Sequence, residues 1–86
     1  AYFYNAMHAN DYERLNIEND HVFFESMFGR RHSEENFRRS LTRVLPSERD
    51  HLVHIAQGQR NIHFGKYLHA TLRPLLETEV KHALRS

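Results

Sequence analysis

Residues 62–85 read IHFGKYLHATLRPLLETEVKHALR, and they hold the most regular apolar pattern of the 86-residue chain. Apolar side chains recur there at every fourth position: Phe64, Leu68, Leu72, Leu76, Val80 and Leu84. Four residues advance a helix by about 400°, so the stripe drifts by about 40° at each step, which is typical of a long amphipathic helix. Asn61 is expected to cap this helix, and Pro74 to kink it by removing one backbone hydrogen bond.

The preceding sequence favours three shorter helices, each bounded by capping or helix-ending residues. They are predicted over residues 20–28, 33–45 and 48–57. The first is apolar around most of its circumference, so it must be buried. The second begins at Ser33 and ends before Pro46. The third begins with a capping box formed by Ser47 and Asp50 and ends at Gly58.

The first eighteen residues allow two interpretations. The aromatic run from Tyr2 to Tyr4 suits an edge strand, whereas apolar side chains at helical spacing favour a short helix, which we prefer.

The predicted fold is therefore all-α: a small bundle of four to five helices with a long, Pro74-kinked C-terminal helix. We expect residues 1–86 to form a single helical domain excised from a longer protein, with residues 1–18 as a semi-independent N-terminal arm.

Composition excludes several classes of protein. Hydrophobic residues make up 40% and charged residues 27%, which fits a soluble globular chain. The sequence contains no cysteine, which excludes disulfides, thiolate-bound zinc and a cysteine nucleophile. Its apolar runs are too short for a membrane span. These observations predict an intracellular protein, in the cytoplasm or the nucleus, that does not contact a membrane.

Charge is unevenly distributed along the chain. Residues 1–28 hold Arg14 against five carboxylates, and the other 11 of the 12 Lys and Arg residues follow. Five arginines form a candidate anion-binding or nucleic-acid-binding cluster: Arg30, Arg31, Arg38, Arg39 and Arg43. The alternative, which we favour, is a solvated helix face in which Glu34 pairs with Arg38 and Glu35 with Arg39, four residues apart.

The order of the predicted helices also suggests a helix-turn-helix domain that binds DNA. Helices 33–45, 48–57 and 62–73 would form it, and the last would be the recognition helix. That helix offers only Lys66 and Arg73 as fixed charges, fewer than base recognition usually requires. A nucleic-acid-binding domain is therefore the alternative function rather than the favoured one.

No motif for catalysis or metal binding stands out. His51 and His54 lie one helical turn apart, but a structural zinc site needs further close ligands, so neither a metal nor a cofactor is predicted. The serines lack a nucleophile-elbow motif, and the three glycines are isolated. We therefore expect a chain that is not an enzyme. The eight histidines leave a pH-sensitive interface as an open alternative.

The favoured function is non-catalytic protein–protein interaction. The apolar stripe beyond Pro74 extends further than the preceding helices can cover, and an uncovered apolar surface usually marks an interface. The predicted partner-binding residues are Phe24, Phe28, Leu75, Leu76, Val80 and Leu84. They would mediate homo-oligomerisation, most simply as a homodimer, or dock a partner helix in a groove, within a larger intracellular scaffold protein.

Overall fold

In the computed structural model, which describes residues 1–47 and 51–86, these two ranges form seven β-strands and one α-helix. The strands are β1 (Tyr2–His8), β2 (Asp11–Glu18), β3 (His21–Phe28), β4 (Arg31–Arg38), β5 (Arg43–Leu45), β6 (Val53–Gln57) and β7 (Arg60–Phe64). Helix α1 spans Arg73–Arg85, and short 3₁₀ helices span Arg39–Leu41 and Ala70–Leu72. The strands form two antiparallel sheets, β1-β2-β3-β4 and β5-β6-β7.

Four two-residue turns set the register of the larger sheet and of the β6–β7 pair. They are Ala9–Asn10, Asn19–Asp20, Gly29–Arg30 and Gly58–Gln59. The first residue of each has a positive φ, of 55°, 54°, 63° and 60° in that order. This is the requirement of a hairpin turn whose twist matches that of the flanking strands. Each turn therefore fixes which side chains of its two strands share a face.

Alternation along the strands directs one face of the larger sheet into the core. The buried apolar residues of that face are Tyr4, Leu15, Ile17, Val22, Phe24 and Phe37. Phe64 of β7 is fully buried, and its ring lies 5.7 Å from that of Tyr4 and 5.6 Å from that of Phe24. Leu76 and Val80 of α1 are buried in the same apolar cluster. The two sheets and the helix thus share one core.

The all-α prediction is wrong, because the chain is mostly β-strand. Residues 20–28, predicted as a helix, form β3. Their apolar residues seemed to surround a helix, but in a strand Val22 and Phe24 point into the core and Phe23 lies on the outer face. The predicted helix 33–45 is instead most of β4, a 3₁₀ turn and β5.

The N-terminal helix is also wrong, since residues 1–18 contain β1 and β2 of the larger sheet. Of the predicted helix 48–57, Asp50 of the capping box lies outside the described residues, and Val53–Gln57 form β6. The long C-terminal helix is shorter than predicted, because it begins only at Arg73. Pro74 lies in the first turn of the helix, where backbone N–H groups have no hydrogen-bond partner within the helix. The absence of an N–H at Pro74 therefore breaks no helical hydrogen bond, and the proline starts the helix and does not kink it.

We predict that Ala9→Gly stabilises the protein. Ala9 has a φ of 55°, a left-handed conformation that strains a residue with a Cβ by roughly 1 kcal/mol but not glycine. Urea unfolding should show a midpoint above that of the wild type. Ala6→Gly, within β1, is the matched control and should lower the midpoint. An Ala9→Gly midpoint at or below that of the wild type would contradict the turn geometry.

Asp20 joins the β2–β3 turn to the end of β4. Its Oδ2 accepts hydrogen bonds from Arg38 Nε at 2.9 Å and Nη2 at 2.7 Å, and its Oδ1 accepts one from Ser40 N at 3.0 Å. The hydrogen bonds from Arg38 and then from Ser40 lower the pKa of the Asp20 carboxyl. The charged carboxylate therefore stabilises the folded state.

The contribution of Asp20 should depend on pH. A carboxyl whose pKa is lowered by folding stabilises the protein above its ordinary pKa of 3.8, and this stabilisation is lost as the pH falls through the lower folded value. The wild type should unfold at a higher temperature than Asp20→Asn near neutral pH, and the two should converge in acid. Glu18→Gln is the control, because Glu18 makes no described ion pair. A difference in melting temperature that does not shrink in acid would contradict this assignment.

Candidate functional site

Two hairpin tips lie together at one end of the larger sheet. The strand order places the β1–β2 and β3–β4 turns at this end and the β2–β3 turn at the other. The backbone N–H of Gly29 donates a hydrogen bond to Asp11 Oδ1 at 2.9 Å and so ties the two tips together. Phe28 precedes the second turn and is 61% exposed, and the exposed Arg30 and Arg31 follow it. An apolar ring and two guanidinium groups are therefore displayed side by side.

A buried carboxylate holds the loop after β7 against this sheet. Glu13 is 2% exposed, and its Oε1 accepts hydrogen bonds from Gly65 N at 3.0 Å and from Tyr4 Oη at 3.1 Å. Burial raises the pKa of Glu13, and these two hydrogen bonds oppose the rise. Arg73 Nε donates to the carbonyl oxygen of Gly65 at 2.9 Å, so the start of α1 is fixed to the same loop. The residues that follow Gly65 are thereby held in one position.

That loop places a third cation and a second aromatic ring beside the hairpin tips. Lys66 Nζ lies 4.0 Å from the centre of the Phe28 ring and 5.1 Å from that of Tyr67, both within cation–π range. The His8 and Tyr67 rings stack with their centres 6.3 Å apart. We call Phe28, Arg30, Arg31, Lys66 and Tyr67 the tip site.

A recess of about 520 Å³ opens beside the tip site and is lined by His8, Phe28, Lys66, Tyr67, Leu68 and His69. The Tyr67 hydroxyl is buried and has no hydrogen-bond partner among the described residues. Such an unmet polar group destabilises the folded state by about 1–3 kcal/mol. The loop therefore holds a donor that the fold itself does not use.

Among the described residues, the cations of the tip site make no ion pair, although the charge of Lys66 also lowers the pKa of Glu13. No carboxylate in residues 1–47 and 51–86 lies within ion-pair distance of Arg30, Arg31 or Lys66. Arg38, by contrast, pairs with Asp20 at 2.7 Å. Exposed apolar and cationic groups side by side suit a surface that is itself both apolar and anionic.

The five arginines predicted as one cluster are separated: three lie at two ends of the larger sheet, and Arg39 and Arg43 lie outside that sheet. Arg30 and Arg31 are at the tip site, whereas Arg38 ends β4, roughly 23 Å away along an eight-residue strand. Arg39 and Arg43 follow Arg38 along the chain. Anion binding by these residues stays a prediction, but one contiguous helical face does not exist. The predicted helical pairs are absent too, since Arg38 pairs with Asp20 and Glu35 with Arg60.

The predicted partner-binding residues also separate. Phe24, Leu76 and Val80 are buried in the core of this chain, and Leu84 packs partly buried against it. Leu75 is exposed, as is Phe28 of the tip site. Their binding role is a prediction that the structure does not test.

Two residues of the site region, His8 and Tyr67, cannot be identified as such from the sequence patterns. His8 carries no local signal, because only the sheet brings it to Tyr67. Tyr67 has a weak one, because Gly65 two residues before it is an isolated glycine that disfavours the predicted helix.

Comparison with known proteins adds one finding. No curated protein and no solved structure matches the chain. Over residues 1–47 and 51–86, no helix has both the length and the apolar character needed to cross a bilayer. A family model described as "Integral membrane protein (DUF2244)" matches residues 1–84.

This match and the observed fold together overturn four predictions. An integral membrane family is at odds with a chain that avoids membranes and with a location in the cytoplasm or nucleus. The functions fail as well, because the helical interaction module and the helix-turn-helix both required helices where β4, β5 and β6 lie. The family model matches almost the whole chain, and the chain therefore belongs to the DUF2244 family of integral membrane proteins.

Proposed function

We propose that this chain binds the surface of an anionic lipid bilayer through the tip site, as a non-catalytic part of an integral membrane protein. The observation that carries the proposal is the exposed Phe28 ring beside three cations without ion-pair partners among the described residues. Aromatic rings favour the interface between lipid headgroups and acyl chains, and Lys and Arg favour anionic headgroups. Membership of an integral membrane protein family supports a bilayer as the occupant.

The geometry allows these groups to reach one plane together. Phe28, Arg30 and Arg31 belong to a single hairpin, and Lys66 is held against Phe28 by the Glu13–Gly65 hydrogen bond. Little backbone freedom is therefore lost when they meet a surface, which favours binding. The recess beside the tip site offers room for a headgroup next to Lys66.

The expected strength decides how the binding must be measured. Each Lys or Arg near an anionic membrane surface contributes about 1 kcal/mol, so three contribute about 3 kcal/mol. Inserting the Phe28 ring adds at most about 1.5–3 kcal/mol, the value for full burial. The isolated chain should thus bind weakly, and lipid concentrations in the millimolar range are needed.

We predict that the chain sediments with phosphatidylcholine vesicles containing about one-third phosphatidylserine and not with pure phosphatidylcholine vesicles. Binding should fall steeply as salt is raised, because exposed charges are screened. Arg30→Glu with Arg31→Glu should reduce the bound fraction at least fivefold. Phe28→Ser should reduce it while leaving the salt dependence in place.

The chain supplies its own matched control. Arg39→Glu with Arg43→Glu makes the same change in net charge away from the tip site, and it should retain most of the binding. An equal loss in both double variants would show general charge attraction and overturn the proposal. The absence of binding to phosphatidylserine vesicles at low salt would overturn it as well. Circular dichroism of each variant establishes that the β-fold is kept.

A further inference from the structure

Three side chains that carry metal-ligating atoms meet on the outer face of the larger sheet. Glu25 of β3 and Glu34 of β4 are direct cross-strand partners, and His32 lies two residues before Glu34 on the same face. His32 Nε2 is 2.7 Å from Glu25 Oε2 and 3.8 Å from Glu34 Oε1. The three ligand atoms all lie within 4.8 Å of one another. We call these residues the outer-face cluster.

The register places two like charges opposite each other. Carboxylates in directly opposite positions of antiparallel strands repel and destabilise the pairing. Glu25 is compensated by Arg14 Nη1 at 3.5 Å and by a hydrogen bond from Tyr12 Oη at 3.1 Å. The carboxylate of Glu34 has only His32 within ion-pair distance among the described residues. The fold therefore keeps a repulsive pair whose second member lacks a permanently charged partner.

One imidazole and two carboxylates form a typical ligand set for a divalent transition metal. Zinc in catalytic and other open sites is often held by His and Glu, with water at the remaining position. Ligands of tetrahedral zinc, at about 2.0–2.1 Å from the metal, lie roughly 3.3 Å from one another. The distances from His32 Nε2 bracket this value, so rotations of the exposed His32 and Glu34 side chains suffice to adjust them.

We propose that Glu25, His32 and Glu34 bind a divalent transition-metal ion, with Zn²⁺ as the best match. The ion takes the place of the hydrogen bond between His32 Nε2 and Glu25 Oε2, and it neutralises the Glu25–Glu34 pair. Tyr12, by its hydrogen bond to Glu25 Oε2, orients that ligand from outside the coordination sphere. Arg14 faces the same carboxylate and limits the affinity, so micromolar rather than nanomolar binding is expected.

The experiment is a titration of the chain with ZnCl₂, followed by the imidazole NMR signals of His32 and by calorimetry. We expect the His32 signals to shift first and to saturate at one equivalent. His32→Gln and Glu34→Gln should each weaken the calorimetric affinity at least tenfold. Mg²⁺ should leave the His32 signals in place, because it prefers oxygen ligands in octahedral geometry.

His21→Gln is the matched control, because His21 lies at the other end of β3 and outside the cluster. It should bind Zn²⁺ as the wild type does. Unchanged affinity in both His32→Gln and Glu34→Gln would place any bound zinc on other histidines and overturn the proposal. A titration that leaves the His32 signals unmoved would overturn it too. The vesicle assay is independent of this result, because none of the three ligands belongs to the tip site.

Discussion

The left-handed backbone at the first residue of each two-residue turn is the constraint on which this structure depends. Side chains alternate between faces with a period of two, so a shift of one residue would expose the whole core face. The positive φ of Ala9, Asn19 and Gly29 prevents that shift in the larger sheet. The same turns bring two hairpin tips to one end. They also place Glu25 opposite Glu34.

The sequence contained this information in a form that also suits helices. The three turns of the larger sheet recur at ten-residue intervals, a regular spacing that indicates antiparallel strands. Gly58, the first residue of the β6–β7 turn, is also a typical helix-ending residue, because residues that favour caps also favour tight turns. The four-residue apolar spacing has the same ambiguity, since positions four apart also share a strand face. Only residues 73–85 follow that pattern as a helix.

The candidate site could be predicted from sequence only in part. Phe28, as a partner-binding residue, and Arg30 and Arg31, as members of a basic cluster, are candidates from the sequence because apolar character and charge can be read locally. Their grouping with Lys66, which follows 35 positions after Arg31 in the chain, comes from the hydrogen bond of Gly65 to the buried Glu13. The sequence gives no sign of that contact, because a single carboxylate in a strand normally faces solvent. Nor does it show that Arg31 and Arg38 lie at opposite ends of β4.

The β3–β4 hairpin carries Phe28, Arg30 and Arg31 as well as the whole outer-face cluster. It can carry both because only some of its residues are needed for the core. On its inner face, Val22, Phe24 and Phe37 supply the core. The outer face and the turn are free of that requirement. Two carboxylates placed directly opposite each other and an exposed apolar ring both work against stability. These are the positions on which the two proposed binding sites rest.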